Sequence, residues 1–340
     1  MRNKFFWLLA TIMMCGAMLT GLTSCSNSDN ISIDNKNKVA VLLPDGNYID
    51  RWISDKANLK EALNAYGIKA AFYVAPESPE GAMLQVEQLK QAIDDGVKYI
   101  VLTYVDYEKI NESGVLEQHP DVKVICHDRL FLDNPSVVYI SAADSKEVGR
   151  LQGQFLLNHF ESSGAASMTM EILEGPLTDV NSKNFYDGAM EILKNYIDNG
   201  KLIVKSGKTE YSDVMVDSWT VADGKKAMID RLSSYEEGQR PDMILAAIDN
   251  QAQAVIEVLE EAGITDMPVI TGQDNSALSQ AYIKSGKQAM TIDKNLKDMA
   301  NNTAMILNGL ISNTPIPSGQ SISNIPVIYS KLTVITKDSY

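Results

Sequence analysis

Val122-Lys123-Val124-Ile125-Cys126-His127-Asp128-Arg129-Leu130 is an apolar run that ends abruptly in an acid and a base. Val122 to Cys126 is β-branched and too short for a helix, a pattern typical of a parallel strand covered on both faces. Asp128 and Arg129 then mark the point where this strand leaves its sheet. Because open α/β sheets bind ligands at the carboxyl ends of their strands, and a carboxylate beside a guanidinium offers acceptors and donors together, the stretch indicates a site for a polyhydroxylated ligand.

The same unit recurs along the chain: a short apolar strand, a polar turn and an amphipathic helix. The predicted strands of a first series are 39–43, 69–75, 99–103, 122–126 and 137–141, and those of a second series are 168–173, 202–205, 243–248 and 269–271. Predicted helices lie between them, the first capped by Ser54, the others near 83–95, 146–160, 183–197, 222–233 and 251–262. Strands that alternate with helices predict parallel sheets.

Two such series predict an α/β fold of two doubly wound parallel-sheet lobes. Towards the C-terminus we predict a strand at 289–292, a helix at 295–308, and one strand or two over 325–335. We assign 39–142 and 295–324 to the N-terminal lobe, and 143–294 and 325–340 to the C-terminal lobe.

The N-terminus carries an export signal. A positive start, Met1–Lys4, precedes an apolar core, Phe5–Leu22, and then Leu22-Thr23-Ser24-Cys25. The core is too short for a transmembrane anchor, so this pattern predicts a lipoprotein signal peptide over 1–24 with lipidation at Cys25. Residues 25–38 are polar and predict a tether. The protein is therefore expected in the cell envelope, periplasmic and lipid-anchored to a membrane.

Composition excludes several classes of protein. The net charge of −14 argues against nucleic acid as a partner and, with the export signal, against a transcription regulator. Cys126 would be the only cysteine left in the body, so no internal disulfide is expected. The three histidines show neither metal nor Ser/His/Asp spacing, and no Walker or dinucleotide glycine pattern is present. We therefore expect no metal, no cofactor and no enzyme; a glycosidase with paired carboxylates is the least favoured alternative.

Polar residues follow nearly every predicted strand. These strand ends are Pro44-Asp45-Gly46, Thr103–Asp106, Asp128-Arg129, Glu174-Gly175, Asp249-Asn250, Gly272-Gln273-Asp274 and Asp293-Lys294. Most such residues simply cap exposed loops. The exceptions are Asp128-Arg129 and Asp274, because charge beside a buried strand requires a partner. Trp52 and Trp219 follow strand ends too, where each could stack on a sugar ring or cover a helix end as a core residue.

Several longer stretches carry a resemblance to a known family. They are Arg51-Trp52, His127–Leu130, Tyr139–Ser141, Glu147–Gln152, Phe185–Met190, Tyr196–Leu202 and Gly272–Asp274. With them the chain resembles the type I periplasmic sugar-binding proteins of the ribose, galactose and xylose group, and it is most similar to members that bind xylose or several monosaccharides. The resemblance covers nearly all of residues 38–340.

The resemblance implies two lobes, joined by a hinge of three crossing segments, that close on one sugar. Trp52 and Trp219 would sandwich the ring, and Asp128 and Arg129 would bind hydroxyls bidentately. From the other lobe, Asn181, Asp249, Asp274 and Lys294 would complete the ligand set, and Arg51 would close the rim.

The chain departs from the family pattern at three positions. His127 stands where the family usually has tyrosine, Val180 replaces the first of two paired asparagines, and Ile248 replaces an asparagine before Asp249. The two lost polar positions argue against strict xylose specificity and leave open a ligand with fewer or differently placed hydroxyls.

The resemblance favours a monomeric, lipid-anchored binding protein that captures a monosaccharide, a xylose-like pentose or a hexose, for an ABC permease. The alternative is a sensor that presents the sugar to a membrane sensor kinase.

Overall fold

A computed structural model describes residues 39–47, 51–317 and 319–340. The predicted signal peptide, Cys25 and the tether lie outside these residues. In this described part of the chain, no helix combines the length and the apolar character that crossing a bilayer requires.

The described strands and helices alternate as predicted. The strands are β1 (Val39–Pro44), β2 (Ala70–Ala75), β3 (Tyr99–Leu102), β4 (Lys123–His127), β5 (Val137–Ala142), β6 (Met168–Leu173), β7 (Leu202–Val204), β8 (Met243–Ala246), β9 (Val269–Ile270), β10 (Met290–Asp293), β11 (Gln320–Ile322), β12 (Ile325–Tyr329) and β13 (Thr333–Thr336). The helices are α1 (Arg51–Ala65), α2 (Pro79–Asp94), α3 (Tyr107–Glu112), α4 (Ser145–Ser163), α5 (Val180–Asp198), α6 (Tyr211–Val214), α7 (Val221–Leu232), α8 (Asp249–Glu261), α9 (Ala277–Ser285) and α10 (Leu296–Ser312).

The described strands form three sheets, of which the two larger ones are each the centre of one lobe. The first has the order β11-β12-β5-β4-β3-β1-β2, and all of its pairings except β11–β12 are parallel. The second has the order β7-β6-β8-β9, all parallel. Beyond β9, the antiparallel pair β10–β13 continues this side, with Ala289 N donating to Ile270 O. The predicted α/β fold with two parallel-sheet lobes is confirmed.

One lobe assignment is wrong. Residues 325–329 were assigned to the C-terminal lobe, but β12 pairs in parallel with β5 and so belongs to the first sheet. Only β13, after the turn, joins the second lobe through β10. The apolar run over 325–335 is thus two strands in different sheets, a division that local sequence cannot reveal because strand pairing is a long-range contact.

The start of the first helix is also wrong. Ser54 was predicted to cap it, whereas α1 is already helical at Arg51. The buried face of α1 includes the polar side chains of Arg51 and Asp55 beside Trp52 and Leu59. Because Arg51 and Asp55 occupy buried positions, the first turn lacks the helical spacing of apolar residues that predicts a helix. The sequence therefore indicates a loop there.

Two glycines allow α4 and α5 to pack closely. A Cβ at Gly149 would lie 1.9 Å from the carbonyl oxygen of Phe185, and a Cβ at Gly188 would lie 2.0 Å from that of Lys146. Only glycine permits this approach. The contact fixes α5, and with it Phe185, against α4.

Three segments join the lobes: β5 to α4, β10 to α10, and β12 to β13. Ser330, buried in the third segment, connects all three, because its N–H donates to Ala142 O at 2.9 Å and its hydroxyl donates to Lys294 O at 2.6 Å. The carboxyl ends of the strands in both lobes face the cleft beside this junction, where they place the charged residues described next.

Candidate functional site

Two of the predicted aspartates have unusual backbone conformations. Asp128 has φ of 68° and Asp274 has φ of 96°, in a region that few residues other than glycine and asparagine or aspartate adopt. Hydrogen bonds to neighbouring strands hold both, since Asp128 N donates to Ser141 O and Asp274 N donates to Ile292 O. Such strained positions cluster at functional sites, where the surrounding structure holds them in place.

A pocket between the lobes brings most of the predicted residues together. Its empty volume, including the part that opens to solvent, is about 290 Å³. It is lined by Arg51, Trp52, Asp128 and Arg129 from the first lobe, by Asp179, Asn181, Phe185, Trp219, Ile248, Gln273 and Asp274 from the second, and by Lys294 from a crossing segment.

Arg51, which was predicted to close the rim, is buried and lines the pocket. Its guanidinium donates to Asp128 at 2.8 Å and, across the cleft, to Asp274 at 3.3 Å, with Asp55 at 3.6 Å. Burial lowers the pKa of Arg51, but the charges of Asp128, Asp274 and Asp55 outweigh this effect and raise the pKa above its ordinary value. Arg51 therefore carries a permanent charge that links the two lobes.

Asp128 remains ionised for the same reason. Burial raises the pKa of its carboxyl, yet the charges of Arg51 and Lys294 lower the pKa well below its usual range. Lys294 also lies 2.9 Å from Asp274. Cations and carboxylates thus alternate along the polar wall of the pocket. One ligand hydroxyl can accept a hydrogen bond from a cation and donate one to a carboxylate.

Arg129 forms a second link between the lobes. Its Nε lies 3.0 Å from Asp179, and its other nitrogens donate to Tyr104 O at 2.8 Å and to the carboxylate of Glu77. Burial lowers the pKa of Arg129, but the charges of Asp179 and Glu77 raise it overall. A neutral cross-lobe contact adds to this link, because Asn181 Nδ2 donates to Asp128 O at 3.1 Å.

The two tryptophans both line the pocket and are buried. The guanidinium carbon of Arg51 lies 4.3 Å from the centre of the Trp52 ring, and that of Arg129 lies 5.3 Å from it. Trp219 donates from Nε1 to Asp179 at 3.2 Å and packs edge-on against Phe185. Both tryptophans belong to one buried apolar cluster that reaches the pocket wall.

Gly175 determines where the Trp219 ring lies. A Cβ at residue 175 would lie 1.9 Å from Trp219 Cη2, which is closer than any real contact. Glycine at this strand end therefore lets the indole ring settle against the backbone beside the pocket.

Asp249 is the one predicted site residue that does not line this pocket. It lies behind Asp274, where its carboxylate accepts from Ser276 N, Thr291 Oγ1 and Gln288 Nε2 at 2.8, 2.8 and 3.1 Å. Burial and the charge of Asp274 raise the pKa of Asp249 to about 7. Its contacts hold the loop that carries Asp274, so it supports the pocket from outside.

His127, a departure from the family pattern, is buried and supports Arg51. Its Nε2 lies 3.2 Å from both oxygens of Asp55, and its Nδ1 lies 2.7 Å from Thr303 on α10. Asp55 in turn faces Arg51. This chain of contacts connects Arg51 to α10, the helix that follows the second crossing segment.

Four residues of the pocket were missing from the predicted site: Asp179, Phe185, Ile248 and Gln273. Asp179 has the sequence signal of a helix N-cap, and it does accept a hydrogen bond from Asn181 N at 3.0 Å. This capping role explains the residue by itself, so nothing in the sequence indicated that Asp179 also lines the pocket. Gln273 precedes Asp274 at a strand end that the sequence did single out. Phe185 reads as an ordinary apolar core residue, and Ile248 was singled out only as a departure from the family pattern.

The charged residues that line the pocket balance one another. Three cations, Arg51, Arg129 and Lys294, face three carboxylates, Asp128, Asp179 and Asp274. Buried polar atoms without a hydrogen-bond partner in the described chain also occur here, on Arg51 Nε, Trp52 Nε1 and both amide atoms of Gln273. Since buried polar groups are normally satisfied, the arrangement fits an uncharged ligand rich in hydroxyls. The described residues contain no group of three or more His, Cys, Asp or Glu able to hold a metal ion.

Comparison with known proteins identifies similar chains. The sequence profile of a family described as periplasmic binding protein domain matches residues 39–315. A multiple sugar-binding periplasmic receptor of Rhizobium radiobacter, ChvE, is 31% identical over 268 residues, which cover 77% of this chain and 74% of the receptor. A D-xylose-binding periplasmic protein of Escherichia coli is 27% identical over 258 residues, which cover 76% of this chain and 73% of that protein.

Solved structures give the same picture of the fold. An ABC transporter solute binding protein from Clostridium phytofermentans, solved with bound β-D-glucose, is similar with a TM-score of 0.83 and 25% identity. The similarity covers 89% of this chain and 94% of that one.

Proposed function

The chain belongs to the periplasmic binding protein domain family, and we propose that it is a lipid-anchored receptor that captures one neutral monosaccharide between its lobes and does not transform it. The observation that carries the proposal is the pocket itself: a closed, charge-balanced array of buried acids and bases drawn from both lobes, with tryptophans beside it. The names of its relatives, receptors and solute binding proteins for sugars, support the same ligand class.

The proposed mechanism is hinge closure. Arg51–Asp274, Arg129–Asp179 and Asn181–Asp128 are contacts that only a closed cleft can make. A sugar that hydrogen-bonds to both lobes adds to these contacts and shifts the population towards the closed form. Trp52 and Trp219 would supply flat apolar surface to the C–H face of the ring.

A binding role is favoured over catalysis because the carboxylates of the pocket are engaged with cations. Asp128, Asp179 and Asp274 each contact an arginine or lysine. The pKa of Asp128 lies well below its usual range, so Asp128 does not keep the proton that a general acid must donate. Asp249, whose pKa is raised to about 7, lies behind the pocket wall and cannot reach a ligand within it.

Calorimetric titration of the purified protein with a panel of pentoses and hexoses tests this proposal. Trp52→Ala and Trp219→Ala should each weaken binding by about 1–3 kcal/mol, the range for a lost aromatic contact and its burial. Ile53→Ala is a matched control, since this neighbour of Trp52 is 62% exposed. Failure of every monosaccharide to bind would refute the proposal.

We further propose delivery of the sugar to an ABC permease, because the similar Clostridium phytofermentans protein is described as an ABC transporter solute binding protein. Presentation to a membrane sensor kinase is the second candidate, because the Rhizobium radiobacter relative is named a receptor. Growth on the bound sugar, compared between wild type and a strain lacking the permease, separates the two. The proposed lipid anchor predicts that Cys25→Ala moves the protein from the membrane fraction to the soluble fraction; retention in the membrane would contradict it.

A further inference from the structure

One side of the pocket cannot form hydrogen bonds. Ile248, Phe185 and the ring of Trp219 belong to one buried apolar cluster, and all three line the pocket. Ile248 is only 4% exposed. A ligand hydroxyl directed at it would lose its hydration and gain no partner, which penalises binding.

A polar residue at position 248 would cap helix α8 better than isoleucine does. Ile248 has an extended backbone at the N-cap of α8, with φ of −136° and ψ of 167°, and its side chain makes no capping bond. Serine, threonine, aspartate and asparagine are strongly preferred there because they accept from the first free N–H groups of the helix. The apolar side chain at 248 therefore serves the pocket wall rather than the helix.

The remaining walls present the opposite chemistry. Arg51, Asp128, Asp274 and Lys294 are charged, and Gln273 has a buried amide whose two polar atoms find no hydrogen-bond partner among the described residues. A ligand that satisfies all walls must offer hydroxyls to this side and carbon-bound hydrogen to Ile248.

We propose that the site selects a monosaccharide that lacks a hydroxyl at the position facing Ile248: a deoxy sugar or a pentose, in which hydrogen, or a methyl group in a 6-deoxy sugar, replaces the polar group. This inference rests on the proposed sugar-binding function. A deoxy sugar and a pentose share a ring carbon, or a substituent on it, that carries no oxygen. They differ in the group that is missing, which is a hydroxyl in the deoxy sugar and a whole hydroxymethyl group in the pentose.

Matched pairs of sugars test the proposal on the wild-type protein. D-Galactose against D-fucose, and D-glucose against 6-deoxy-D-glucose and 2-deoxy-D-glucose, remove one hydroxyl; D-glucose against D-xylose removes the hydroxymethyl group. In at least one pair the less hydroxylated sugar should bind about tenfold more tightly or better, equivalent to about 1.4 kcal/mol. Tighter or equal binding of the fully hydroxylated sugar in every pair would overturn the inference while leaving the proposed function intact. A protein that binds no sugar at all would refute both.

Variants at residue 248 test the assignment of this wall. Ile248→Asn introduces a donor and an acceptor and should reduce or reverse the preference within the selected pair, whereas Ile248→Val should keep it. Ile229→Asn makes the same chemical change in the same lobe, at a side chain that is 57% exposed. It should leave the preference for the less hydroxylated sugar unchanged. Thermal unfolding of each variant verifies that it is folded. A folded Ile248→Asn protein with unchanged preference would overturn the role given to Ile248.

Discussion

Replacing Asp249 by asparagine is expected to make the stability of the protein less sensitive to pH. Burial and the nearby charge of Asp274 raise the pKa of Asp249 to about 7 in the folded state, compared with about 3.9 in an unfolded chain. Between these values the folded protein keeps a proton that the unfolded chain has already released. The wild type therefore loses stability as the pH rises from about 4 to about 7, and the loss is complete above that pH.

The size of the effect follows from the two pKa values. Integrating the proton-binding difference between pH 5 and pH 8 gives about 2–3 kcal/mol lost by the wild type through Asp249 alone. Asparagine cannot titrate, so Asp249→Asn does not lose this energy. It does disturb the acceptors for Ser276 N and Thr291 Oγ1, but that penalty is the same at both pH values and cancels in the comparison.

Urea unfolding of wild type and variant at pH 5, 6.5 and 8 measures the difference. The free energy of unfolding of Asp249→Asn, relative to wild type, should rise by about 2–3 kcal/mol from pH 5 to pH 8. Asp94→Asn is the control, since Asp94 is exposed at the end of α2. A relative stability that stays constant within about 0.5 kcal/mol would mean that Asp249 is already ionised at pH 5, and the reasoning about its environment would be wrong.

Other changes have equally definite outcomes. Gly175→Ala should displace Trp219 and weaken sugar binding about tenfold or more by calorimetry, whereas Gly319→Ala, where a Cβ would meet nothing within 4 Å, should have no effect. Glu174→Gln should stabilise the protein at pH 8 and progressively less towards pH 4, as measured by urea unfolding. Burial raises the pKa of Glu174 well above its usual value, and neither carboxylate oxygen has a hydrogen-bond partner in the described chain. An equal effect at both pH values would contradict this. Asp55→Asn should lower the free energy of unfolding by about 1–3 kcal/mol and weaken sugar binding, because Asp55 holds both His127 and Arg51; unchanged affinity would mean that Arg51 is positioned without it.

The alternation of strands and helices could be predicted because it depends on short-range patterns. β6 was predicted at its observed bounds, and most other strands within one or two residues. Helix α9 was missed although Ser276 caps it, and α3 was missed although Asp106 accepts from Glu108 N and Lys109 N. Both helices are short, nine and six residues, so neither shows a long apolar period, and their caps were read as loop residues.

Most of the charged part of the site was predictable, Asp179 being the exception. Asp128, Arg129, Asp274 and Lys294 lie within a few residues of the ends of apolar strands, and a buried sheet edge makes such charges conspicuous. The buried position of Arg51 could not be predicted, because it depends on contacts with Asp128 and Asp274, which come from different lobes.

The apolar part of the site has no such signal. Phe185 has the pattern of a core residue, and the apolar side chain of Ile248 does not by itself indicate that it faces a pocket; only the tertiary structure places both there. For the same reason β12 and β13 could not be divided between the sheets: the sequence around Ser330 contains a break but no indication of which partner each strand takes.

A crystal structure of the protein with its preferred sugar would show whether both lobes bind one sugar. We expect a single sugar ring in the pocket beside Trp52 and Trp219, with hydroxyls bonded to Asp128 in one lobe and to Asp274 in the other. A sugar bound elsewhere, or one that contacts residues of a single lobe only, would contradict it.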